Sequence, residues 1–359
     1  MFALYSPVLH LYRRARSDVK WHLRVNSACA AVIWFRMRAD NGPVVAVVGA
    51  GAVGCYFGGM LARAGIPVTL IGRPPHMEAI ARDGLLLEQS SGCRRIPVAA
   101  STDIAGVRGA QVVLFSVKTV NTETAAREIQ PFLSPGATVL SFQNGVDNVD
   151  RIYAATGLRA IPVVVYVAAS MSAPGRLKHG GRGDLVMGHR AGWPPLPDLK
   201  PLAALFENAG IPCKISDAIE TELWTKMVMN CAYNAISALT RARYGRIIAF
   251  DPLRQIMRCV VAETVSVARA EGVNLSEPAL VEATFQLGEV MSGALSSMAQ
   301  DIGRGKPTEI DSLNGYVSRR GSALGIPTPV NDTLSALMKL LEQSAATAPP
   351  ATGSAAFPA

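Results

Sequence analysis

Along the stretch WTKMVMNCAYNAIS, Trp224 to Ser237, three polar side chains recur among methionine, cysteine and alanine: Lys226, Asn230 and Asn234. Their i, i+4, i+8 spacing stacks an ammonium and two amides along one line of a helix. When hydride adds to a ketone, negative charge builds on the oxygen, and a nearby ammonium can both stabilise that charge and donate the proton. Two amides, one and two turns away, can orient a carboxylate or hydroxyl. The competing reading is the wet face of an amphipathic helix. Such a face normally carries several charges, and this one carries a single lysine.

Hydride chemistry needs a donor, and one stretch could hold it. Gly49-Ala50-Gly51-Ala52-Val53-Gly54 follows the apolar run VVAVVG and opens a helix expected to reach about Ala64. In a dinucleotide fingerprint the first glycine permits a tight turn, the second lets backbone approach a pyrophosphate, and the third packs helix on strand. The helix N-terminus then faces the phosphates. At the end of the second strand a ribose-binding Asp or Glu would indicate NAD, whereas this chain reads Leu70-Ile71-Gly72-Arg73-Pro74. A guanidinium with no carboxylate beside it fits a 2′-phosphate and predicts NADP(H); a surface arginine capping a loop is the alternative.

Two more strand ends point at the same crevice, because ligands of open α/β sheets bind beyond the carboxyl ends of the strands. Lys118 ends VVLFSVK, and Gln143-Asn144-Gly145 ends TVLSFQNG. Further on, Thr308 and Asp311 read as a cap pair that puts Glu309 in the first turn of a helix with Ile310, Leu313 and Val317 on its apolar side. Glu309 is then either an ordinary dipole-friendly acid or a carboxylate facing substrate or cofactor.

Other chemistries lack their residues. No Tyr-x-x-x-Lys occurs, and His76, His179 and His189, the histidines beyond residue 40, belong to no cluster at metal spacing. No metal is expected. The six cysteines show no CxxC and read as reduced core thiols in a cytoplasm.

The elements that must position these residues follow from the pattern. The runs at 44–49, 68–72, 111–117, 137–142 and 161–167 are continuous and β-branched, with helical segments between them, which predicts parallel strands buried on both faces. GLLLEQ and RRIPVAA read as a hairpin beside that sheet. After Asp217 an Ala/Leu/Met-rich helical period runs to about Gln343. The expected fold class is α/β: a Rossmann-type doubly wound parallel sheet over 43–216, followed by an all-helical domain over 217–343. The tail 344–359, rich in Pro, Ala and Gly, is expected to be disordered.

The net charge of +8 suggests nucleic acid only until it is located. Residues 1–40 hold seven Arg/Lys and two Asp, so the remaining chain is near +3, an ordinary surface. Residues 1–42 are expected to lie outside the core. We read Met37 as the natural start, with a transit-type leader as the alternative. No apolar run has the length of a membrane span, so neither nucleic acid nor membrane is an expected partner.

In order along the chain, GAGAVG, SVK, QNG, GRLKHGGRG, ELWTKMVMNCAYNAISAL, SSMAQD and TEIDSLNGYV resemble the ketopantoate reductase (2-dehydropantoate 2-reductase) family over about residues 43–343. The resemblance implies NADPH-dependent reduction of a small 2-oxo acid to (R)-pantoate for coenzyme A synthesis, in a cleft between a Rossmann and a helical domain. It implies Lys226 as proton donor, Asn230, Asn234 and Ser297 as substrate contacts, and Lys118, Asn144 and Glu309 near the cofactor or the reacting carbonyl. A homodimer stands as an open option. One departure is Tyr244, before Gly245, where the family commonly has an Asn. It leaves open another 2-oxo acid as substrate, and a third reading is an NADPH-binding regulator without turnover.

Overall fold

This computed structural model describes residues 42–194 and 198–347. The expectations for residues 1–41 and 348–359 therefore fall outside the described residues. The first half of the described chain builds strands β1 (Val45–Val48), β2 (Val68–Ile71), β3 (Leu85–Gln89), β4 (Gly92–Ile96), β5 (Ala99–Ser101), β6 (Val112–Phe115), β7 (Thr138–Ser141), β8 (Ile161–Ala173), β9 (Arg176–Met187) and β10 (Cys213–Ile215). Between them run helices α1 (Ala52–Arg63), α2 (Pro74–Asp83), α3 (Thr122–Ile129), α4 (Asn148–Thr156) and α5 (Lys200–Asn208). The helices that follow are α6 (Ile219–Thr240), α7 (Tyr244–Ile248), α8 (Asp251–Ala270), α9 (Glu277–Val290), α10 (Ser297–Gly303), α11 (Asn314–Leu324) and α12 (Pro329–Thr347).

The strand order is β4-β3-β9-β8-β7-β6-β1-β2-β5, with β10 paired to β9. Pairing is parallel throughout except at β3/β4 and β8/β9. In the centre Val48 lies opposite both Ile71 and Phe115, and Phe115 opposite Ser141, so the strand ends form one edge. Burial on both faces explains the continuous hydrophobic runs. Val45, Val47, Val112 and Leu114 join a core with Phe57, Phe142 and Phe206, while Ala46, Val48, Val113 and Phe115 join a separate one under α3 and α4.

Three sequence expectations need correction. RRIPVAA is two strands: Ile96 ends β4 at one edge of the order and Ala99 begins β5 at the other, with Pro97, which has no N–H for a ladder, between them. The helical chain also continues past Gln343, since α12 runs to Thr347. Cys55, Cys213 and Cys231 are buried, but Cys93 and Cys259 are exposed, so the thiols are not uniformly core.

No strand follows Ile215 among the described residues. Helix α6 runs through the centre of the helical part and contributes Trp224, Met227, Val228, Cys231 and Ala232 to its core. Among the described residues no helix is long and apolar enough to cross a membrane.

Candidate active site

The turn between β1 and α1 gives its three glycines different surroundings. Gly49 has φ 89°, and a Cβ there would meet the Val117 amide nitrogen at 2.6 Å. At Gly54 a Cβ would lie 2.6 Å from Ser116 Oγ and 2.8 Å from Val47 Cγ1, so helix and strand approach too closely for any side chain. Gly51 differs: it is exposed, and a Cβ would meet nothing closer than 3.9 Å. The amides of Gly49 and Ala50 both donate to the Ile71 carbonyl, tying the turn to the end of β2. Ala52 and Val53 open α1 half-buried, and its first turn carries no acid. Helix-starting amides without intrahelical partners, beside an open glycine, suit an anion.

Arg73 follows Gly72 directly after β2 and is exposed at the start of α2, with Pro74 in the first helical position. Among the described residues it makes no ion pair. One turn on, His76 Nδ1 is buried without a hydrogen-bond partner. Burial, reinforced by the charges of Lys306 and Arg73, holds the His76 imidazole below its usual pKa.

At the ends of β6 and β7 the two halves of the molecule meet. Lys118 Nζ pairs with Asp301 Oδ2 at 2.7 Å and with Glu309 Oε2 at 3.7 Å. Burial pulls this ammonium down, but the two carboxylates together hold its pKa above the ordinary lysine value. Glu309 is buried, and its oxygens accept from the Thr119 amide (3.2 Å) and from Asn144 Nδ2 (3.0 Å). Ser312 Oγ adds a bond to Thr119 Oγ1 at 2.8 Å. The expected Thr308–Asp311 cap is not formed. Thr308 Oγ1 accepts from the Ile310 amide, a short 3-10 turn spans Ile310–Ser312, and α11 begins only at Asn314. Asp311 pairs instead with Lys339 at 2.6 Å.

Lys226 lies on α6 facing β8. Its Nζ donates to the Val165 carbonyl at 2.6 Å and lies 5.8 Å from the Tyr166 ring centre. Burial lowers its pKa to about 8, Glu309 opposing the shift and Arg182 adding to it. Asn230, one turn on, is half-buried, and Asn234 is only 3% exposed. The Asn234 carbonyl accepts from Ser296 Oγ, which also caps α10 by accepting from the Ala299 amide. Ser297, the first residue of α10, is exposed. The structure thus gathers Lys226, Glu309, Asn144 and Lys118 around linked charges. Asp301, Tyr166 and Arg182 belong to the same surroundings and were not singled out in the sequence, although Asp301 ends SSMAQD and Arg182 interrupts a glycine run.

Two family models described as ketopantoate reductase PanE/ApbA and its C-terminal part match residues 45–192 and 218–342. A 2-dehydropantoate 2-reductase of Pyrococcus abyssi is 33% identical over 82% of this chain and 96% of its own length. The chain belongs to the ketopantoate reductase family. It is therefore an oxidoreductase with the family's Rossmann-like fold. Among solved structures, a PanE/ApbA family ketopantoate reductase from Ralstonia eutropha is 46% identical with a TM-score of 0.78, covering 84% of this chain and 99% of that one. A D-mandelate dehydrogenase solved with NADH and anilino(oxo)acetate has the same TM-score at 24% identity, over 84% and 98% of the two chains, a likeness of fold.

Within this ketopantoate reductase fold, Tyr244 is 9% exposed, and its ring stacks on Tyr233 at 4.1 Å between centres. Tyr233 in turn donates to the Thr284 carbonyl at 2.7 Å. Burial pushes the Tyr244 phenol up to about 12. The side chain at this position is thus an aromatic packed into the helical core.

Proposed function

We propose that this chain reduces the 2-oxo group of 2-dehydropantoate to (R)-pantoate with NADPH, Lys226 supplying the proton. The observation that carries the reading is Lys226 itself: a half-buried lysine whose ammonium is anchored on Val165 O, with a pKa of about 8, in the field of Glu309. A general acid is most effective with a pKa near the working pH. One of its three N–H groups is committed to Val165 O, which leaves the others for a substrate oxygen.

The open surface at Gly51 and the exposed Arg73, with no carboxylate ending β2, fit a dinucleotide carrying a 2′-phosphate. The 49–54 loop and Arg73 would hold it, with Lys118 and Asn144 at the strand ends nearer the reacting centre. A bound reduced nicotinamide supplies hydride to the carbonyl carbon. Lys226 stabilises the oxygen as charge develops there and protonates it, Glu309 keeps that lysine charged, and Asn230, Asn234 and Ser297 orient the acid.

The test is loss of NADPH absorbance with purified protein and 2-dehydropantoate, run beside NADH and a panel of branched 2-oxo acids. Rapid oxidation of NADPH with 2-dehydropantoate is expected. Turnover confined to another acid would replace the substrate and keep the chemistry, a reading that Tyr244 favours because an aromatic stands where the family commonly has an amide. NADPH binding with no turnover on any 2-oxo acid would overturn the catalytic reading.

A further inference from the structure

Arg182 is held in the left-handed backbone region (φ 53°) within β9, between Gly181 (φ 139°) and Gly183 (φ 149°). The other non-glycine residue of this kind among those described, Arg241, closes helix α6, where such a conformation is ordinary. A residue with a Cβ keeps this backbone inside a strand only where its surroundings over-determine it, and such positions cluster at ligand clamps. Glycines on both sides let the chain make the turn. At the centre of the run stands an arginine.

The side chain is aimed by three contacts. In the ladder Tyr166 lies opposite Asp184 and Val167 opposite Arg182, with a register shift between the two pairs at Gly183, so the irregular backbone and not a regular alternation sets where the arginine goes. The guanidinium lies over the Tyr166 ring at 4.0 Å, and Lys226 Nζ reaches the same ring at 5.8 Å. Asp184 takes the Nε (3.0 Å) and Nη2 (2.7 Å) edge of the guanidinium. That side-on pairing fixes the fork and leaves the Nη1 end open, on a side chain 49% exposed. The nearby acid Glu222 is itself paired, with Lys214 Nζ at 3.1 Å.

We propose that Arg182 binds the substrate's carboxylate, receiving it end-on while Lys226 addresses the adjacent 2-oxo oxygen. A 2-oxo acid carries its anionic and reacting oxygens on neighbouring carbons, and these two cations share one aromatic ring. The proposal rests on the 2-oxo acid reading above and names the group that recognises the acid end, whichever acid is preferred.

The experiment measures KM and kcat for Arg182→Gln, Arg182→Lys and Arg182→Gly on the 2-oxo acid that the wild type reduces best, and on its uncharged methyl ester. Losing a charge-assisted hydrogen bond is expected to raise KM for the acid about 10- to 100-fold, with kcat less affected. KM for the ester and NADPH affinity by fluorescence should stay unchanged. The alkaline limb of kcat/KM should also move to higher pH in the Gln variant, since a neighbouring cation that disfavours the Lys226 ammonium is gone. Arg182→Gly suits the left-handed backbone and keeps the fold in play. Wild-type KM in the Gly or Gln variant, or an equal loss on the ester, would overturn the assignment. A wild type inactive on every 2-oxo acid overturns the reaction and this site together, whereas an active wild type with indifferent variants overturns this site alone.

Discussion

Asn144 and Glu309, 165 positions apart in the chain, are joined by a 3.0 Å hydrogen bond from Asn144 Nδ2 to Glu309 Oε2. The bond links the end of a sheet strand to the helical part, and the same carboxylate favours the charged forms of Lys118 and Lys226. Glu309→Gln keeps the shape and removes the charge. Its expected effects are a lower midpoint on the alkaline side of the pH–rate profile and about a tenfold or greater fall in kcat. A pH profile identical to wild type would contradict the electrostatic coupling.

Lys226 must be an ammonium to donate. With a pKa of about 8, kcat/KM for reduction should be flat below that value and fall as pH rises through it. The reverse reaction, which needs the neutral amine, should rise over the same range. Lys226→Ala should cost about 10²- to 10⁴-fold in kcat with NADPH affinity retained. Full turnover in that variant would remove Lys226 from the mechanism.

The glycines of the first turn should separate fold from binding. Gly54→Ala forces a Cβ to within 2.6 Å of Ser116 Oγ and is expected to cost about 1–3 kcal/mol by overpacking, seen as a lower Tm. Gly51→Val meets no neighbour within 3.9 Å and should cost at most about 1 kcal/mol as a poorer cap. It should still weaken NADPH binding by blocking the approach of a pyrophosphate. Equal effects of both variants on Tm, with no effect of the second on cofactor affinity, would argue against this loop as the dinucleotide site.

Arg73→Ala tests the choice between the two nicotinamide cofactors. Losing a guanidinium–phosphate pair should raise the Kd for NADPH about 10- to 100-fold and leave that for NADH unchanged, as titrated by fluorescence. If both constants rise together, Arg73 serves the loop rather than the 2′-phosphate.

Much of this organisation was legible in the chain because it depends on neighbours along the chain. Strands buried on two faces must be continuously apolar, so 44–49 and 111–117 announced the central sheet, and a 3.6-residue period put Lys226, Asn230 and Asn234 on one line of α6. A turn that needs glycine at fixed offsets identified the start of α1. Sequence distance hid the rest. RRIPVAA looked like one strand because local propensity does not record that Pro97 divides it between opposite edges of the order. Spacing could not reveal that Asn234 lies deepest of the three, 3% exposed, while Lys226 and Asn230 stay half-buried.

What the sequence by itself determined was the α/β order, the position of the glycine turn and the identity of the polar line on α6, all set by local sterics and hydrophobic period. Only the tertiary structure decided which charges work together. Glu309, read locally as a first-turn acid, meets Thr119 and Asn144 because the helical part folds onto the ends of β6 and β7. Arg182 and Lys226, distant along the chain, come to one place only because the β8/β9 pair carries Tyr166, whose ring both cations reach. Burial and through-space charge fall off with distance in space rather than along the chain, so the pKa of Lys226 had no local signature.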